Sequence, residues 1–274
     1  MNTKNLIIRT VSGVVYAVLI AGAIFYDKFF FAAEFAIIGI LTTCEFHKLI
    51  NKLENVDTLI WTGIVSSFVL FLSLILSYYN SDFQFLTEKL IFCIYLLLIF
   101  CVFILEIFRK KPNPVNNIAY FLMGQIYIAV PFMCLISIRF NFERIILLAF
   151  FVIIWANDVF AYLVGSLIGK HKLCERISPN KSWEGFIGGM AGALIAGFVF
   201  SQFNSELNLL KWFLFAFIVA ISGTLGDLFE SLIKRTVGVK DSGNIMPGHG
   251  GFLDRLDSVL FAAPAVLIFL FFLK

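Results

Sequence analysis

Three stretches in the second half of this 274-residue chain concentrate groups able to handle phosphate and a hard cation. The first reads Ser222-Gly223-Thr224-Leu225-Gly226-Asp227-Leu228-Phe229-Glu230-Ser231-Leu232-Ile233-Lys234-Arg235, with Asp227, Ser231 and Lys234 at steps of four and three. On a helix those steps share a face, so a carboxylate, a hydroxyl and an ammonium are presented in order, with Glu230 beside them. The second runs from Lys234 to Asp257 and carries Gly238, Gly243, Gly248, Gly250 and Gly251, together with Lys240-Asp241, Pro247, His249 and Asp254-Arg255-Leu256-Asp257. Glycines let backbone approach a bulky anion closely. Asp254 and Asp257, three apart, share a helix face. Brought near Asp227, they make the all-oxygen donor set that magnesium prefers, with substrate phosphates completing the shell. His249 reads equally well as a phosphate donor or as a structural histidine.

The third stretch, Ile177-Ser178-Pro179-Asn180-Lys181-Ser182-Trp183-Glu184-Gly185, offers hydroxyls, an ammonium and an aromatic ring before a glycine-rich helix. A helix start with free amides suits an anion; the plainer reading is an interfacial turn, with Trp183 as anchor and Lys181 as a positive marker. Upstream, Asn157 and Asp158 interrupt an apolar run, and positions 158, 162, 165 and 169 form one helical stripe. A carboxylate facing lipid is expensive, so this stripe faces protein or a wet cavity. The alternative is a buried hydrogen bond between closely packed helices. The Gly185/Gly189 and Gly188/Gly192 pairs read as helix packing.

These residues must be positioned by membrane spans. The chain is 60% hydrophobic and 14% charged, against roughly 45–50% and about 25% for an ordinary soluble domain. That composition excludes a soluble globular protein, a disordered chain and a nucleic-acid-binding module. A span needs about 20 apolar residues, and candidates lie near 7–25, 29–44, 59–79, 90–108, 118–138, 145–168, 186–203, 207–229 and 258–273. The second and ninth are short for a full crossing. Ala21-Gly22-Ala23 mimics a signal-peptide cleavage site, but a second apolar run follows so closely that a retained hairpin is the expectation.

Charge orients the spans. Lys4, Arg9, Lys48, Lys52, Arg109, Lys110, Lys111, Lys170, Lys172, Arg176, Lys181, Lys234, Arg235, Lys240 and Arg255 fall on one side, which is fifteen of the 21 basic residues. The positive-inside rule then sets the N-terminus and both long polar loops in the cytosol and the C-terminus outside. The organisation expected is an N-terminal scaffold over 1–140 and a catalytic region over 141–274, with cytosolic loops 169–185 and 230–257. No chemical motif stands out in the scaffold. Glu34 and Glu106 there read as interfacial or paired with a neighbouring helix. Cys44, Cys93, Cys101, Cys134 and Cys174 read as apolar fillers rather than a disulfide framework or zinc site.

A secondary transporter also uses intramembrane acids, but it carries them in both halves of a repeat, and no repeat is found here. A P-loop kinase is excluded because no Gly-x4-Gly-Lys-Ser/Thr occurs. The Asp-Gly-x-x-Ala-Arg motif of the CDP-alcohol phosphotransferases is also absent.

The run Ser231-x-x-Lys234-Arg235-x4-Lys240-Asp241-x-Gly243-x3-Pro247-x-His249-Gly250-Gly251-x-x-Asp254-Arg255-x-Asp257 resembles the signature of the phosphatidate cytidylyltransferase family, also called CDP-diglyceride synthases. Segments 157–170, 178–189 and 223–230 resemble the family as well. The likeness is strong over roughly 157–257, while the first half matches only in being polytopic. The resemblance implies an all-α polytopic membrane protein of about nine spans, a homodimer, and a cavity open to the cytosol and the bilayer. It implies transfer of the cytidylyl group of CTP to phosphatidate, giving CDP-diacylglycerol and pyrophosphate. Carried over by position, Asp227 and Asp254 bind magnesium with Asp257 supporting the centre, and a monovalent cation such as K+ is compatible beside it. Ser231 and Lys234 join Asp254 and Asp257 as the catalytic groups. Asn157, Asp158, Lys181, Ser182, Arg235, Lys240, Asp241, His249, Gly250, Gly251 and Arg255 are the substrate-binding positions expected. The compact loops suit a bacterial plasma membrane.

Overall fold

The computed structural model describes residues 3–79, 84–204, 206–243 and 250–273. It is almost wholly helical: α1 (Thr3–Tyr26), α2 (Lys28–Ile50), α3 (Ile60–Tyr79), α4 (Gln84–Phe108), α5 (Pro114–Gly124), α6 (Val130–Asn141), α7 (Arg144–Ile168), α8 (Trp183–Ser201), α9 (Leu209–Val237) and α10 (Leu253–Phe272). A π-helical turn, Gln125–Ala129, joins α5 to α6 as one rod. Between α7 and α8 lie two short antiparallel strands, β1 (Lys172–Cys174) and β2 (Ser178–Ser182), which pair Lys172 with Ser182 and Cys174 with Ser178. Among the described residues, eight helical segments are long and apolar enough to cross a membrane, and Ser12–Tyr26 is a shorter apolar helix. The nine expected spans thus each correspond to a helical rod.

Their ends differ from expectation for local reasons. The second span, read as 29–44, continues to Ile50 because its polar last turns are satisfied: Thr43 donates to the Gly39 carbonyl at 2.8 Å, and His47 Nδ1 lies 3.0 Å from the Thr58 hydroxyl. The ninth begins at Leu253 rather than 258. The region read as a loop from 230 is helical as far as Val237, where a Glu230–Lys234 pair supports the last turns and Gly238, at φ 76°, ends them. Asp27 alone separates α1 from α2. Its carboxylate accepts from Phe29 N at 2.8 Å and Phe30 N at 3.2 Å, which caps α2 and holds the carboxyl below its usual range.

The described chain forms two compact units, Met1–Phe140 with Val237–Arg255, and Asn141–Thr236 with Leu256–Lys274. In the first, Phe31, Phe35, Phe46, Phe71, Phe121 and Phe132 are fully buried. Glu106, read from the sequence as interfacial or paired with a neighbouring helix, is paired: it accepts from Arg109 and, at 3.0 Å, from Asn117, while Arg109 and Lys111 also hold Asp57. In the second unit the glycines of α8 bring it against α7. A β-carbon at Gly188 would strike Val164, one at Gly189 would strike Asn157 and Ala161, and one at Gly192 would strike Phe160. Gly226 of α9 meets the Asp257 carbonyl of α10 in the same way. Close backbone approach is what positions the polar groups described next.

Candidate active site

A cavity of about 320 Å³ opens in the second unit, lined among others by Asn157, Asp158 and Tyr162 from α7, Lys181 and Ser182 from β2, and Asp227 from α9. The hairpin aims Lys181 inward, and its ammonium forms an ion pair with Asp227. Ser182 ends the strand and starts α8, its hydroxyl accepting from Gly185 N at 3.1 Å. Glu184 accepts from the Lys170 and His171 amides and lies 2.6 Å from His171 Nδ1, which fixes the approach to β1. The glycine-rich helix start is therefore already capped by its own serine. Asn157 is buried, its amide 3.5 Å from Asp158, and both line the cavity, as do Tyr162 and Gly165 of the stripe.

Beside the cavity wall, Asp227, Glu230 and Asp257 converge: each offers a carboxylate oxygen within 4.8 Å of the others. Asp227 and Glu230 come from successive turns of α9, and the Gly226 contact draws the α10 backbone at Asp257 against them. Ser231 lies one turn on, its hydroxyl 3.4 Å from Asp227, and the Lys234 ammonium is 2.5 Å from Glu230, which is fully buried. Three carboxylates crowded in partly buried surroundings repel one another; two lysines offset part of that charge. Hard oxygen donors at this spacing fit a divalent cation such as magnesium. Glu230, read from the sequence only as a neighbour, is thus a member of the cluster, because its position three residues after Asp227 returns it to the same side of α9.

The remaining expected positions have different settings. Arg235 reaches the Ile177 carbonyl at 3.4 Å and braces the turn between the strands. Asp254 stands one turn before Asp257 on α10, and its Oδ2 accepts from Ser242 N at 2.9 Å, Ser242 Oγ at 2.8 Å and Gly251 N at 2.8 Å. Gly250 adopts φ 84°, a conformation that favours glycine. Lys240, Asp241 and Arg255 are exposed. His249, with Pro247 and Gly248, lies outside the described residues.

The comparisons with known proteins converge on one group. A model of the cytidylyltransferase family matches residues 7–273, nearly the whole chain. This chain belongs to that family. Among curated proteins it is similar to the phosphatidate cytidylyltransferase of Staphylococcus haemolyticus, 46% identical over 167 residues, with 60% of this chain and 63% of the relative covered. The phosphatidate cytidylyltransferases of Staphylococcus saprophyticus and Staphylococcus aureus strain COL are 44% and 43% identical over 166 residues each, at the same coverage. The alignments therefore span 63% of the length of these relatives.

Proposed function

We propose that this cytidylyltransferase-family member is a magnesium-dependent CTP:phosphatidate cytidylyltransferase, releasing CDP-diacylglycerol and pyrophosphate. The observation that carries the reading is the juxtaposition of the Asp227, Glu230 and Asp257 carboxylates with the Lys181 and Lys234 ammonium groups in a family member whose relatives bear that name. Asp227, Glu230 and Asp257 would hold the cation, and the family resemblance adds Asp254 to its ligands. Bound there, magnesium supplies charge neutralisation for the triphosphate. Lys181 and Lys234, now paired with carboxylates, are within reach of phosphate oxygens that enter the cluster, and Ser231 can donate a hydrogen bond to them.

The reaction joins a phosphatidate phosphate oxygen to the α-phosphorus of CTP and breaks the bond from that phosphorus to the bridging oxygen, so the electron pair leaves with pyrophosphate. The attacking oxygen is ionised at neutral pH, so neither a protein nucleophile nor a general base is required. The residues act by positioning and by offsetting charge on the attacking and leaving oxygens. In this reading the cavity opens to the cytosolic face of a bacterial plasma membrane, the protein works as a homodimer, and a monovalent cation such as K+ sits beside the divalent one.

Purified protein incubated with cytidine-labelled CTP and phosphatidate tests the proposal. Label is expected in a lipid product only when both phosphatidate and magnesium are present. Absence of lipid label, with counterflow of a solute in proteoliposomes, would overturn it in favour of a transporter.

A further inference from the structure

Glu45 has no part in the family signature and lies in the half of the chain read as scaffold. In the structure it is a buried carboxylate, 4% exposed, near the C-terminal end of α2. It reaches across the sequence to both ends of the 238–252 connection: Oε2 accepts from Phe252 N at 2.9 Å, and Oε1 is hydrogen-bonded to the Ser242 hydroxyl. The backbone on both sides is pressed onto the same carboxylate. A β-carbon at Gly243 would come within 2.9 Å of Glu45 Cδ, and one at Gly251 would run into the carboxylate oxygens. Two glycines of the signature are therefore small because Glu45 occupies the space beside them. The Ser242 amide donates to Asp254 Oδ2, which gathers Gly251 N as well. Glu45, Ser242, Gly251 and Asp254 thus form one hydrogen-bonded knot that ties Ser242 to residues 251–254 and both to α2.

A residue that merely filled space at this depth would be apolar, since a carboxylate in a spanning helix needs partners and marks function by default. We infer that Glu45 is a positioning residue for the proposed transfer: it clasps the two ends of the signature loop and through Ser242 sets the Asp254 carboxylate. The inference rests on the cytidylyltransferase reading for its catalytic consequence but not for the clasp itself.

The full-length protein in detergent provides the test, with hydrogen exchange followed by mass spectrometry on peptides covering 241–243 and 250–254, beside steady-state kinetics. Glu45→Ala is expected to speed exchange of the Ser242, Gly251 and Phe252 amides and to lower kcat by about 10–100-fold, the loss typical of hydrogen bonds to a charged group. The KM for phosphatidate should move by less than that. Glu45→Gln still accepts from Phe252 N and donates to Ser242, and is expected to restore both readouts. If Glu45→Ala proves too unstable to purify, Gly243→Ala decides the matter: its β-carbon displaces Glu45, so exchange at Ser242 and Phe252 should rise. Wild-type exchange in Glu45→Ala or, failing that, in Gly243→Ala would overturn the clasp. So would a Gln variant as impaired as the Ala variant. Wild-type protein that shows the protected amides but no transfer would instead count against the functional reading alone.

Discussion

Asp257 carries the sharpest conflict between stability and function. It sits with Asp227 and Glu230 in a cluster of three carboxylates, partly relieved by the Lys181 and Lys234 ion pairs. Crowded like charges destabilise a fold, and sites that do chemistry commonly retain such strain. Asp257→Asn removes one charge and keeps the shape. Turnover is expected to fall at least about 100-fold, roughly 2.7 kcal/mol of barrier, while the thermal unfolding midpoint in metal-free buffer stays level or rises. Activity within about tenfold of wild type, or a lowered midpoint, would remove Asp257 from a cation site. At this scale much was legible: Asp227, Ser231 and Lys234 announce a common face by spacing alone. Glu45 was not legible, because an acid in a Phe-rich helix looks the same in sequence whether it meets glycine backbone or a headgroup.

Among the elements, the α7–α8 pair bears most directly on the cavity. The glycines of α8 set the helix against Val164, Asn157, Ala161 and Phe160 of α7, and the hairpin that delivers Lys181 runs between the two helices. Gly188→Leu inserts a side chain where a β-carbon already collides with Val164. Overpacking of this kind costs about 1–3 kcal/mol, so a lower melting temperature is expected together with weaker substrate handling, since Asp158 and Lys181 line the same cavity. A midpoint equal to wild type would show that the helices have slack there. The small-xxx-small spacing was readable in advance because its period is that of the helix itself. The reach of α9 to Val237 and the start of α10 at Leu253 were less so, since hydropathy marks where lipid ends, not where hydrogen bonding ends.

For the whole molecule, the apolar surface is the dominant fact. Leu97, Phe100, Ile104 and Ile107 of α4 are all exposed, as are Val14, Val18 and Leu19 of α1, an arrangement suited to lipid and untenable in water. Charge predicts the orientation: fifteen of the 21 basic residues lie in segments expected on one side. On a background with the native cysteines replaced, cysteines introduced at Lys172 and Lys240 are expected to react with a membrane-impermeant maleimide in inside-out vesicles and to be protected in intact cells. Equal labelling from the outer face would reverse the orientation.

Hydropathy was enough to establish a polytopic all-α protein, because helix period and lipid thickness act locally along the chain, and the signature run resembled the family to which the chain belongs. Which acids share a cluster, and that Glu45 of α2 holds Ser242 and Phe252 some two hundred residues away, depended on close approach at glycines. Such contacts are set by the shapes of both partners at once, and a linear string carries only one partner at a time.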